Sequence, residues 1–91
     1  MKLNWSRPAV ADLVRLHDFL EPVAPRAADA VVRELNRAAL RLREFPRTGV
    51  RVPVQDAREV RRVIVGAYEM RYEVRDEEIV IVRIWHGKED R

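Results

Sequence analysis

The chain has no cysteine, so disulfides, thiolate metal sites and a cysteine nucleophile are excluded together, and stability must come from packing or from a partner. Histidine is nearly absent as well, with His17 and His86 the only two. The H-E-x-x-H zinc pair, the nucleophile elbow and the glycine-rich phosphate loop are all missing. No metal or nucleotide cofactor is expected. No stretch approaches the roughly 20 apolar residues that cross a bilayer, and Met1-Lys2-Leu3-Asn4-Trp5 carries no apolar signal-peptide core. A cytoplasmic protein without membrane contact is expected. Lysine is scarce too, Lys2 and Lys88 being the only two among 18 basic residues. Arginine suits planar contacts to carboxylate or phosphate, although a GC-rich genome produces the same bias.

What is present is a chain of 91 residues, 47% hydrophobic, with a net charge of +3. That is enough for one domain, residues 1–91, with a modest core. The basic balance attracts nucleic acid or an acidic protein without choosing between them. Ser6 is a candidate helix N-cap with Pro8 tolerated in the first turn. Apolar positions Val10, Leu13, Val14 and Leu20, with His17 on the same stripe as a boundary residue, predict a helix from Arg7 to Glu21. Pro22 and Pro25 break it. From Arg26 to Phe45 the spacing of Ala28, Val31, Leu35, Ala38, Leu42 and Phe45 alternates between three and four, with Val32 and Ala39 widening the stripe. Arg33, Glu34, Arg37 and Arg41 fall off it, which predicts an antiparallel helical hairpin with one buried face. Pro46 to Glu59 has no clean period and is expected to be an irregular connection.

From Val60 the period becomes two. Strands are predicted at Val60–Val65, Tyr68–Val74 and Ile79–His86, divided by Gly66-Ala67 and by Asp76-Glu77-Glu78, and Leu3-Asn4-Trp5 adds a short first strand. The middle strand places Tyr68, Met70, Tyr72 and Val74 on a dry face and Glu69, Arg71 and Glu73 on a wet one. The last strand, with Val80, Val82 and Ile84 on one side and Ile79, Ile81 and Trp85 on the other, is expected to be central and covered on both faces. Trp5 and Trp85 read as packing residues. The expected fold class is α+β, in the order β-α-α-β-β-β, with the helical hairpin packed on a small antiparallel sheet.

A basic chain in this order that carries V-R-R-V-I-V-G-A-Y-E-M-R-Y-E-V and closes with R-I-W-H-G-K-E-D-R resembles the RelE/ParE superfamily of toxins of type II toxin-antitoxin systems, and most of all its ParE branch. The specific part is Arg61-Arg62, the turn Gly66 to Tyr68, Arg71-Tyr72 and the ending Arg83 to Arg91; the helices match only in pattern. The resemblance implies a cognate antitoxin, often with a ribbon-helix-helix (ParD-like) DNA-binding part and a segment that wraps the toxin. An acidic tail adding to a sheet edge would suit the basic surface. The toxin alone is not expected to bind DNA sequence-specifically.

Two activities divide the superfamily. ParE-like members inhibit DNA gyrase by binding, whereas RelE-like members cut mRNA in the ribosome. Cleavage by 2′-OH attack needs a base, an acid and cations on one phosphate, and the candidate parts are His86, Arg61, Arg62, Arg71 and Arg83. Glu69 stands where many mRNA-cutting relatives carry an arginine, and a carboxylate there repels a phosphate. The resemblance therefore favours gyrase inhibition, with the ribosome-dependent endonuclease as the alternative and an inert antitoxin-binding module as a third reading. In ParE-like relatives the C-terminal segment is implicated in inhibition, so His86, Lys88 and Arg91, with Arg71 and Arg83, are the candidate target contacts.

Each of these residues also has a purely structural reading. His86 is equally at home as a strand-end side chain at an interface. Arg61 and Arg62 point to opposite faces, so at most one serves a given site. Arg71 and Arg83 fit ordinary cross-strand pairs with Glu69 and Glu73, and Tyr68, Met70 and Tyr72 at period two read as core.

Overall fold

Ser6 caps the first helix, its hydroxyl accepting the Ala9 N–H at 3.1 Å, and Pro8 follows within the first turn. The computed structural model describes residues 1–89 and has the element order β1 (Lys2–Trp5), α1 (Arg7–Leu20), α2 (Pro25–Leu42), β2 (Val50–Val52), β3 (Glu59–Val65), β4 (Tyr68–Val74) and β5 (Glu78–His86). Pro25 belongs to the first turn of α2 rather than to the break, because a helix start has no use for that residue's N–H. The helices end at Leu20 and Leu42, a residue and three residues short of the predicted ends.

The five strands lie in the order β1-β5-β4-β3-β2. All neighbours are antiparallel except β1, which joins β5 in parallel. The expected irregular connection between Pro46 and Glu59 therefore contains a strand: Val50, Arg51 and Val52 pair with Arg62, Arg61 and Val60. Tyr72 anchors the approach to it, since its buried hydroxyl donates to Pro46 O and accepts the Gly49 N–H, both at 2.8 Å. At the β3–β4 hairpin Gly66 takes φ +59°, the left-handed region where a Cβ is unfavourable.

The helical hairpin covers one face of the sheet. Leu35, Met70, Tyr72, Ile79, Ile81 and Ile84 are fully buried there, each contributing roughly 1.5–3 kcal/mol by leaving water. Two expected apolar stripes need correction. On α1 the buried line is Ala9, Asp12 and Leu16, while Val10 and Val14 face solvent. On α2 the line ends at Leu42, and Phe45 lies beyond the helix with 64% of its surface exposed.

The last strand also departs from strict alternation. Tyr72 pairs with Ile81 but Arg71 pairs with Arg83, so Val82 is an extra residue in a β-bulge. The bulge resets the period by one. Ile79, Ile81, Ile84 and His86 consequently share the helix-covered face with Val74, Tyr72, Met70 and Tyr68, and Val80, Arg83 and Trp85 share the far face with Glu73, Arg71 and Glu69. The predicted grouping of Ile84 with Val80, and of Trp85 with Ile79 and Ile81, fails for that reason. Glu69 and Glu73, expected to be wet, are only 5% and 7% exposed. Arginine side chains account for this: Arg71 and Arg62 reach Glu69, and Arg75 reaches Glu73.

Candidate functional site

The far face of the sheet carries a row of three arginines in register. Arg62 lies opposite Arg71 and Arg71 opposite Arg83, so one cation from each of β3, β4 and β5 occupies a single line. Like charges directly opposite destabilise a sheet, and the chain offsets the repulsion with buried acids. Arg71 Nε donates to Glu69 Oε2 at 2.9 Å and Arg62 lies 3.9 Å from the same carboxylate. Arg83 donates to Asp12 twice, at 2.7 and 3.1 Å. The guanidinium groups of Arg71 and Arg83 also lie 4.9 and 5.1 Å from the centre of the Trp85 ring, so two cations share one indole in cation–π contact. Trp85 thus organises a basic surface on the far face rather than packing beneath the helices.

Arg61 is elsewhere. It faces the helix side, donating to Gly49 O at 2.8 Å and to Glu59 at 2.7 Å, which ties β3 to the approach to β2. The sequence expectation that Arg61 and Arg62 diverge agrees with this register, and the arginine row takes Arg62.

His86 stands at the end of β5 on the helix-covered face. Its ring meets Tyr68 edge-on, with centroids 5.3 Å apart and planes at 89°, and its Nδ1 accepts the Lys88 N–H at 3.0 Å. These residues form one wall of a groove of about 570 Å³, whose apolar floor comes from Leu16, Phe19, Leu20 and Tyr68 and whose rim carries Arg15, Lys88 and Glu89. Phe19 is 81% exposed. Burial raises the Tyr68 phenol pKa above its ordinary value, and the nearby Glu89 charge adds to the effect. The structure therefore brings His86 and Lys88 together, and separately Arg62, Arg71 and Arg83, but places the two sets on opposite faces of the sheet. Arg91 lies outside the described residues.

Asp12 and Arg15 went unremarked in the sequence, yet they join these features. Asp12 is 4% exposed and accepts from Arg83, from the Ile84 N–H and from Arg15. Arg15 links it to Glu89. A signal was available, because Asp12 sits three residues after Ala9 and four before Leu16, on the face that α1 buries.

His17 bridges the hairpin, with Nδ1 and Nε2 each 3.2 Å from a carboxylate oxygen, Asp18 on α1 and Asp29 on α2. Among the described residues, His17, Asp18 and Glu21 place potential metal-ligating atoms within 4.8 Å of one another. Two of the three, His17 and Asp18, are already hydrogen-bonded to each other. No helix of the described chain is long and apolar enough to cross a membrane.

A helical hairpin on a five-stranded, mostly antiparallel sheet is consistent with the α+β fold of the RelE/ParE toxins. The chain belongs to the family described as the ParE toxin of the type II toxin-antitoxin system, parDE, whose model matches residues 3–91. It is 38% identical over 83 residues to Toxin RelE2 of Caulobacter vibrioides, covering 91% of each chain. Among solved structures it is similar to the chromosomal ParDE system of P. aeruginosa, with a TM-score of 0.78, 26% identity and coverage of 94% of this chain and 95% of that one. It is also similar to the RelBE2 toxin-antitoxin complex of Mycobacterium tuberculosis, with a TM-score of 0.58, 27% identity and coverage of 93% and 95%. The protein is a type II toxin of the ParE/RelE superfamily.

Proposed function

We propose that this toxin works in the cytoplasm as a ParE-like inhibitor of DNA gyrase, acting by protein–protein binding, and that a cognate antitoxin neutralises it. The observation that carries this reading is the separation of His86 from the arginine row. RNA cleavage through a 2′-OH needs proton transfer and phosphate-binding cations around one scissile group. Here the imidazole is on the helix-covered face while Arg62, Arg71 and Arg83 line the other, with Arg71 and Arg83 already matched by Glu69 and Asp12. A binding surface makes no demand for convergence. Arg71 and Arg83 on one face, His86 and Lys88 at the strand end, and Arg91, which lies outside the described residues, are the proposed target contacts.

The antitoxin partner is supported by the solved relatives, which are a ParDE system and a RelBE2 toxin-antitoxin complex. We expect a ParD-like antitoxin with a ribbon-helix-helix part. A second reading is RelE-like ribosome-dependent mRNA cleavage, which suits the RelE name of one relative, Toxin RelE2. Purified toxin added to gyrase should block supercoiling and trap cleaved DNA. Absence of both effects, together with mRNA cleavage on translating ribosomes that His86→Ala abolishes, would replace the first reading with the second.

A further inference from the structure

The arginines of β3, β4 and β5 each meet a carboxylate. Those of α2 do not. Arg26, Arg33 and Arg41 have no ion pair among the described residues, and Arg37 has only Glu34, at 3.0 Å between two exposed side chains. The other acid of α2, Asp29, is turned to His17 across the hairpin. Uncompensated positive charge therefore gathers on this helix. Its direction follows from the helical period. The buried line of α2 is Ala28, Leu35, Ala38, Ala39 and Leu42, and at 3.6 residues per turn the four arginines fall on the opposite side. All four are exposed. Arg33, Arg37 and Arg41 follow one another at intervals of four, a rise of about 6 Å each. A duplex presents a phosphate roughly every 3.4 Å of axis on each strand, so a straight row at this interval falls against about every second one.

We propose that the outer face of α2 is a docking surface for the phosphate backbone of a nucleic-acid duplex, bound without regard to sequence. Charge complementarity selects this occupant. The planar fork of arginine matches two phosphate oxygens at once, and phosphate contacts position a protein on a duplex without reading its bases. An acidic protein is the poorer match, because protein interfaces draw their affinity from a desolvated aromatic or aliphatic centre. α2 has no aromatic residue, and Leu40 is its one exposed large apolar side chain, Phe45 standing beyond the helix end. The helical hairpin covers the opposite side of the sheet from the arginine row, so this surface is separate from the proposed gyrase contacts and does not depend on that reading.

The test follows the binding of the full chain to a short fluorescein-labelled DNA duplex by anisotropy over a series of salt concentrations. Four phosphate contacts give log affinity a slope of about −3.6 against log salt, so affinity should fall roughly 150-fold over a fourfold rise in salt. The triple variant Arg33→Gln, Arg37→Gln, Arg41→Gln should bind more weakly and flatten the slope to about −0.9, while circular dichroism reports a retained fold. Glu34→Gln releases Arg37 and should tighten binding about threefold; it reads the same surface if the triple variant unfolds. An RNA duplex of the same sequence shares the backbone chemistry, and the tighter of the two names the natural source. An unchanged slope in a folded triple variant, or an unchanged affinity in Glu34→Gln, would overturn the proposal. Binding lost in Arg62→Gln or Arg71→Gln and kept in the α2 variants would move the nucleic-acid surface to the far face of the sheet and overturn it too. Equal binding of polyglutamate would assign the helix to an acidic protein, with the same consequence. Gyrase is absent throughout, so the supercoiling test and this one fail separately.

Discussion

The Asp12 carboxylate receives the Ile84 backbone N–H at 2.9 Å across 72 positions of sequence, so a helix side chain completes the hydrogen bonding of a strand edge. Burial pushes the Asp12 pKa up, but hydrogen bonds from Arg83, from Ile84 and from Arg15 outweigh it, and the net value lies below that of an ordinary carboxylate. The folded chain thus holds this proton less tightly than the unfolded chain. The stabilisation is fully present above the ordinary aspartate pKa of about 3.9 and fades as pH falls through the lowered folded value. Asp12→Ala should cost about 2 kcal/mol at pH 7, by stranding the Ile84 N–H and loosening Arg83. Urea unfolding at pH 7 and near pH 3 measures it. The gap between parent and variant should shrink in acid, and a gap of constant size would refute the assignment.

Tyr72 and Gly49 form the second joint. A Cβ on Gly49 would sit 2.5 Å from Arg62 O and 2.7 Å from Tyr72 Oη, so Gly49→Ala must displace backbone, at a cost of about 1–3 kcal/mol. Tyr72→Phe removes the hydroxyl shared by Pro46 O and the Gly49 N–H, and it should cost about 1–2 kcal/mol for the amide left without its acceptor. Both variants should raise hydrogen-exchange rates at residues 49–52 more than in β4. Uniform loosening across the sheet would argue against a local joint.

Exposed apolar residues should behave as surface groups. Phe19 and Val23 are 81% and 83% exposed, whereas Leu35 is fully buried. Phe19→Ser should change thermal stability by under about 0.5 kcal/mol, while Leu35→Ala should lose about 3 kcal/mol. A large loss in Phe19→Ser would show that this side chain packs against the fold.

The helical hairpin and the β3–β4–β5 meander were legible in the sequence because each runs long enough to display its period. Strand β2 was hidden by its three-residue length and by its anchor, which is a hydroxyl on Tyr72, 20 residues or more away in sequence. The bulge at Val82 was hidden because Ile79 to Val82 are apolar on both faces, so nothing marks the change of register. At the candidate site the divergence of Arg61 from Arg62 could be read from adjacency alone. The separation of His86 from Arg83 follows from their odd spacing on one strand, whereas its separation from Arg71 depends on that bulge and could not be read.

His17 makes the last test. Its ring is hydrogen-bonded first to Asp18 and then to Asp29, and these contacts raise its pKa above the ordinary imidazole value. The carboxylates favour the charged ring, so the α1–α2 bridge is at full strength below the unfolded value of about 6.5 and is lost as pH rises through the raised folded value. Asp29→Asn removes one carboxylate while leaving Asp18, and it should lower the His17 pKa without abolishing the upward shift. NMR titration of His17 in the parent and in the variant resolves this. A His17 titration unmoved by Asp29→Asn would mean that the bridge between the helices is not formed in solution.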